Sequence, residues 1–138
     1  RTGLFMTETD ILKYAEGNFT TVGLDDSIDE VVKLMAKTDQ SELIVVNKNG
    51  KFFGKINSLS LFNKNGTLNS SDEVDTACVV ISHDASLQDA MEVAANFVGE
   101  IIPIVDKNTN EAVAIITEGA IFQAYLSKQN QTVEMEKR

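Results

Sequence analysis

The stretch SLQDAMEVAANFVGEIIPIVDKNTNEAVAIITEGAIF, Ser86–Phe122, decides the fold, because SIDEVVKLMAKTDQSELIVVNKNGKFFGKINSLSLF, Ser27–Phe62, lays out the same plan earlier. Subtracting 59 puts Ser86 on Ser27, Val105 on Val46 and Asp106 on Asn47. After one extra loop residue the offset becomes 60, with Ile116 on Ile56 and Phe122 on Phe62. Each copy reads as a capped apolar helix, a β-branched run, a turn, a second β-branched run and a helix. Identities are few, so order and spacing carry the repeat.

In the first copy, Ser27 and Glu30 form a capping-box pattern, and Ile28, Val31, Val32, Leu34, Met35 and Ala36 supply helical spacing up to about Lys37. Leu43–Val46 reads as a buried strand, Asn47–Gly50 as a tight turn favoured by its Asn-Gly pair, and Lys51–Ile56 as the return strand. A short helix follows at Leu59–Phe62. In the second copy Ser86 caps a helix through Phe97, Ile101–Val105 is a buried strand, Ala112–Ile116 returns and Glu118–Ser127 closes. Pro103 inside a strand predicts an edge or the strand's opening, since proline cannot donate to a ladder. Upstream, Thr9–Gly17 reads as a short helix, with Thr7 or Thr9 as cap and Gly17 as a left-handed stop. The helix is too short to stand alone and should dock on the repeats. The expected division is a helical lead-in at 1–18, a first domain at 19–64, a linker at 65–77, a second domain at 78–127 and a flexible tail at 128–138.

With 138 residues, 43% of them hydrophobic, the chain fits one body or two lobes of about 60 residues, each marginal alone. A net charge of −9 argues against nucleic acid and anionic membrane surfaces as partners. The single cysteine, Cys78, reads as a small apolar residue that cannot close an internal disulfide. There is no signal-peptide pattern and no apolar run near 18 residues, which predicts no membrane insertion of this fragment. A chain opening on Arg1 reads as excised or processed from a longer protein, so a membrane-embedded parent stays open.

The order β-α-β-β-α, given twice, resembles a pair of CBS domains, the module named after cystathionine β-synthase. The likeness covers roughly Phe19–Tyr125. It rests on Val80-Ile81, Asp84-Ala85-Ser86-Leu87, Ile102-Pro103-Ile104-Val105-Asp106 and Ala114-Ile115-Ile116-Thr117. The first copy answers with Thr21-Val22, Asp25-Asp26-Ser27-Ile28, Ile44-Val45-Val46-Asn47 and Gly54-Lys55-Ile56-Asn57. The resemblance implies an α/β (α+β) fold in which two repeats pack with pseudo-twofold symmetry, and it implies a homodimer built through the module's helices. A narrower resemblance links Ile121–Leu126 and Ile56–Phe62 to the cytosolic tail of bacterial chloride channels and antiporters of the ClC kind. That implies a cytoplasmic domain attached to a transmembrane transport domain.

Such modules often bind adenosine nucleotides in the cleft between their units. An Asp three residues after the Thr or Ser that ends the third strand holds the ribose diol, and that Thr or Ser contacts phosphate. On this chain the Thr/Ser position is Asn57 and Thr117, and the Asp position is Ser60 and Ala120. Both ribose carboxylates are missing: Ser60 is a weaker acceptor and Ala120 offers none. Ala114 also stands where the pattern has glycine, which crowds a ligand. The candidate cleft is Thr20, Thr21, Leu43, Ile44, Asn57 and Ser60 on one side, and Val79, Val80, Ile102, Pro103 and Thr117 on the other. An ordinary inter-unit core explains most of the same residues.

No catalytic constellation is present. His83 has no cysteine partner at ligand spacing and reads as an exposed imidazole. The acidic group Asp25, Asp26, Asp29 and Glu30 suits a helix start and lacks the calcium-loop spacing, so no metal site is expected. The leading expectation is a non-catalytic regulatory module of a membrane ion-transport protein, with no required cofactor, acting through dimerisation and inter-domain rearrangement. The alternatives are a sensor that binds AMP, ADP or ATP weakly, and a purely structural dimerisation lobe.

Overall fold

Ser27 and Ser86 start the helices that the repeat predicts. The computed structural model describes residues 11–136, with side chains through residue 130. Its elements are β1 (Thr21–Gly23), α1 (Ile28–Thr38), β2 (Glu42–Val46), β3 (Phe52–Asn57), α2 (Leu68–Ser71), β4 (Ile81–Ser82), α3 (Leu87–Ala95), β5 (Ile102–Asp106), β6 (Glu111–Ile116) and α4 (Glu118–Glu136). Single 3-10 turns lie at Ile11–Tyr14 and Ser58–Leu61. The chain divides into a first unit, Phe19–Cys78 with Asn108–Ala112, and a second, made of 11–18, Val79–Lys107 and 113–136.

In the first unit β2 is central, parallel to β1 and antiparallel to β3. The Ser27 hydroxyl accepts from the Glu30 N–H at 3.1 Å, a cap worth about 1 kcal/mol. Helix α1 stops at Asp39, which takes the left-handed conformation (φ 55°) in the position usually given to glycine. Ile28, Val31 and Met35 bury one helix face against Leu43, Val45 and Ile56 of the sheet. Each such side chain contributes about 1.5–3 kcal/mol by leaving water. The Asn47 N–H donates to the Lys51 carbonyl, leaving a three-residue hairpin loop with Gly50 at φ 78°. That loop is one residue longer than the tightest hairpin type an Asn-Gly pair favours.

In the second unit the sheet order is β4-β5-β6. The Ser86 hydroxyl accepts from the Asp89 N–H at 3.1 Å, and the Asp89 carboxylate answers from the Ser86 N–H at 3.4 Å, a full capping box. Pro103 is the second residue of the central strand, and β4 begins to pair with β5 only at Ile104. Of the two expected placements, the strand's opening is the one observed. Phe97 lies beyond the end of α3 yet is buried with Ile104, Ile116 and Ile121.

Both sheets gain a bridge from a segment just ahead of a repeat. Glu16 exchanges backbone hydrogen bonds with Ile115 at 2.8 and 3.0 Å, and Ile11 is buried in the second unit's core. Asp75 does the same with Lys55 at 2.9 and 3.1 Å in the first unit. Glu16 and Asp75 are 59 positions apart, the repeat's own offset, so these segments belong to the repeated pattern. Gly54 makes the second bridge passable. A Cβ there would stand 2.5 Å from the Asp75 carbonyl oxygen and 2.9 Å from Val74 Cγ1.

Four local expectations are corrected. Among the described residues, the expected Thr9–Gly17 helix is a 3-10 turn at Ile11–Tyr14, and Gly17 is not among the positive-φ glycines; the Thr7 and Thr9 caps lie outside the described residues. The Leu59–Phe62 helix is a 3-10 turn. The 65–77 linker contains α2, whose Leu68 is wholly buried and whose Thr67 and Ser70 cap each other reciprocally. The last helix does not stop at Ser127 but runs to Glu136. Polarity does not end a helix; Gly, Pro or a competing cap does, and none follows Gly119 in this run.

Candidate functional site

Side chains alternate across a strand, so each sheet has a face toward its helices and a face away from them. In the first unit Leu43 and Ile56 face α1. The opposite face therefore carries Ile44, Lys55, Glu42 and Asn57, and the pairing of Thr21 with Ile44 adds Thr21 to the row. The structure so brings Thr21, Ile44 and Asn57 together and separates Leu43 from them. Thr20 is half-buried just ahead of β1, and Ser60 is half-buried in the 3-10 turn after Asn57.

The second unit repeats the division. Ile102 packs into the helix-facing core with Ile104. Pro103 takes the other face, as Ile44 does at the equivalent position 59 residues earlier. Val79 and Val80 are 39% and 40% exposed, and Thr117 is exposed at the start of α4. Leu43 and Ile102 thus lie in the helix-facing cores of their own units, for the same reason of strand alternation.

Asn57 and Thr117 do the same local work. The Asn57 Oδ1 accepts from the Leu59 N–H at 2.8 Å, and the Thr117 Oγ1 accepts from the Ala120 N–H at 3.1 Å. The Asn57 amide also donates to Glu42 Oε2 at 3.3 Å, so both ends of that side chain are engaged within the protein. Thr117 keeps its hydroxyl proton for a further acceptor. Gly54, which the pattern sets aside for a close ligand, is occupied by the passage of Val74 and Asp75.

Two residues that the sequence reading passed over stand in this row. Lys55 Nζ lies 3.0 Å from Glu42 Oε1, and their side chains are only 9% and 6% exposed. The repeat carried the signal: Glu42 falls on Ile101 and Lys55 on Ile115, charge in one copy where the other is aliphatic. Cys78 lies nearby and is half-buried; burial, then the Asp75 charge, raise its thiol pKa, with Lys55 opposing.

At the far end of the second sheet, Lys107 Nζ sits 2.8 Å from Asp84 Oδ2 while the Ser82 hydroxyl donates to Asp84 Oδ1 at 2.6 Å. The Lys107 contact first, and the Ser82 bond second, hold the Asp84 carboxyl at about 2. The same contact raises the Lys107 pKa. His83 is half-buried rather than exposed, its Nδ1 3.8 Å from Asp106 Oδ1. Asp26, singled out in the acidic group, accepts from the Gly23 N–H at 2.8 Å and so fixes its own loop. A separate groove of about 350 Å³ runs between α3 and α4, lined by Leu87, Met91, Ala95 and Tyr125 among others. Among the described residues no helix is long and apolar enough to cross a membrane.

Among curated protein sequences, none matches this chain. Many solved structures share its fold, among them the following three. An Arabidopsis thaliana CBS-pair protein in complex with AMP has a TM-score of 0.74 at 15% identity, covering 88% of this chain and 99% of that one. CbpB in complex with c-di-AMP has a TM-score of 0.74 at 17% identity, covering 96% and 94%. The cystathionine β-synthase pair domain of a candidate Mg2+ transporter from Shewanella oneidensis has a TM-score of 0.74 at 14% identity, covering 87% and 71%. The CBS domain model matches residues 6–63 and 72–127, the two copies of the repeat. This chain belongs to the CBS domain family as a tandem pair.

Proposed function

We propose that this chain is a non-catalytic regulatory module that takes an adenosine ligand and passes the event on by a change in packing. The observation that carries this reading is the helix-averted row Thr21, Ile44 and Asn57, matched at the repeat offset by Val80, Pro103 and Thr117. Each row sets apolar surface beside a polar residue where its last strand ends, as a nucleoside needs. The relatives solved with AMP and c-di-AMP support the choice of ligand class. Calorimetric titration with AMP tests it. Saturable heat with an affinity between micromolar and millimolar is expected, and a flat trace at millimolar AMP would overturn it. Binding also raises the melting temperature by mass action, whereas a purely structural lobe would melt unchanged.

The module works as a homodimer in this reading. Each unit exposes an aromatic at the same repeat position, Phe62 at 76% and Phe122 at 54%. Val32 and Leu59 extend the first patch, and Leu126 with the stacked Phe122–Tyr125 rings extends the second. Paired exposed apolar faces favour a self-complementary contact. Sedimentation should show a dimer at micromolar concentration, and a monomer at high micromolar would remove this part. For the parent chain we favour a membrane ion-transport protein of the chloride-channel kind, which would make this a cytoplasmic domain. Its support is the likeness of Ile56–Phe62 and Ile121–Leu126 to such tails. The full-length chain decides it: membrane-spanning segments support the reading, and an enzyme domain overturns it.

A further inference from the structure

The Glu42–Lys55 pair is a poor structural investment. Taking both charges out of water costs more than an apolar pair of similar volume, and such pairs are often replaced by hydrophobic residues without loss. The second repeat shows that replacement within the same chain. Ile101 and Ile115 occupy the equivalent positions at 9% and 8% exposure, against 5% for Glu42 and 8% for Lys55. The same fold is therefore built at the same depth with two isoleucines, so the charges are not needed to form it.

Their placement is specific. Lys55 shares its cross-strand row with Ile44 and Thr21, and Glu42 pairs with Asn57 in the next row, all on the face averted from the helix core. The Asn57 amide and the Lys55 ammonium reach the two oxygens of one carboxylate, at 3.3 and 3.0 Å. A buried ammonium beside a buried carboxylate offers one group for a phosphate and one for hydroxyl donors.

We propose that Glu42 and Lys55 are the polar recognition pair of the first unit, closed on each other until a sugar phosphate divides them. The ligand's phosphate takes over Lys55, and its sugar hydroxyls donate to Glu42, which keeps the Asn57 amide. Each charge stays partnered throughout, so no buried ion is stranded during the exchange. Glu42 then supplies the carboxylate that Ser60 and Ala120 do not. This inference rests on the adenosine-ligand reading above and names the residues that discriminate a nucleotide from a nucleoside.

The test titrates AMP and adenosine into three proteins: the unaltered chain, Glu42→Ile/Lys55→Ile, and the uncharged, size-matched Glu42→Gln/Lys55→Met. The first double variant copies the second repeat. The unaltered chain should bind AMP more tightly than adenosine. Both variants should fold, lose about tenfold or more in AMP affinity, as expected from losing charged hydrogen bonds, and no longer separate the two ligands. If the unaltered chain binds AMP and both variants bind it equally well, the pair is not the recognition element and the ligand reading stands. If the unaltered chain binds neither ligand, the ligand reading falls and this inference with it. If neither variant melts cooperatively, the pair is structural and the inference fails.

Discussion

Lys55→Met alone is expected to destabilise the protein by about 3–5 kcal/mol, because it leaves the Glu42 carboxylate buried without its cation. Glu42 is 5% exposed, and the neutral Asn57 amide at 3.3 Å carries no charge to replace the ammonium at 3.0 Å. Exchanging both residues for isoleucine removes the stranded charge along with the pair. That double variant should match the unaltered chain or exceed it by about 1–4 kcal/mol. Urea unfolding of the single and double variants measures the difference. A single variant that loses no more than about 0.5 kcal/mol, as surface substitutions do, would show that water reaches Glu42 freely.

Leu68→Ala carries the second large effect, about 2–5 kcal/mol. Leu68 is at 0% exposure and packs with Val22, Ile28 and Val31, although it lies in a stretch rich in Asn, Ser and Asp. The α2 turn is pinned from both sides: the Ile28 N–H donates to the Gly66 carbonyl and the Leu68 N–H to the Asp26 carbonyl, at 2.8 and 3.0 Å. A true surface linker would tolerate the truncation within about 0.5 kcal/mol. Thermal unfolding separates the two outcomes by several degrees for a unit of this size.

What the sequence made legible follows from periodicity. Ser27, Ser86 and the apolar spacing behind them identify α1 and α3 nearly to the residue, since a capped amphipathic helix carries its own start signal. Leu43–Val46 and Ile102–Val105 are equally plain as buried runs. The α2 turn escaped because its only apolar residue is Leu68 and its capping box uses Ser70 in place of Glu or Gln. The extent of α4 escaped because a polar helix and a polar tail have the same composition. At the candidate site, the repeat correctly aligned Asn57 with Thr117 and Ile44 with Pro103. It could not say which side of the sheet Leu43 and Ile102 face, because a continuous apolar run hides the alternation. Glu42 and Lys55 were passed over for the opposite reason. A charged residue in or beside a strand reads as solvent-facing until its burial is known.

The two bridges ahead of the repeats bear on how the protein is made. Glu16 must wait for Ile115, 99 residues later, before its backbone groups find their partner. During synthesis, which runs from N- to C-terminus, this bridge therefore cannot form until nearly all of the second repeat has emerged. Asp75, by contrast, follows Lys55 by 20 residues and is available as soon as the first sheet forms. The first sheet and its bridge can form early, while the second sheet gains its bridge last, from a segment made before the first repeat. Neither half of the tandem is a severable piece. A cut at Asn18 would remove a bridge from the second sheet, and a cut ahead of Val74 would remove one from the first.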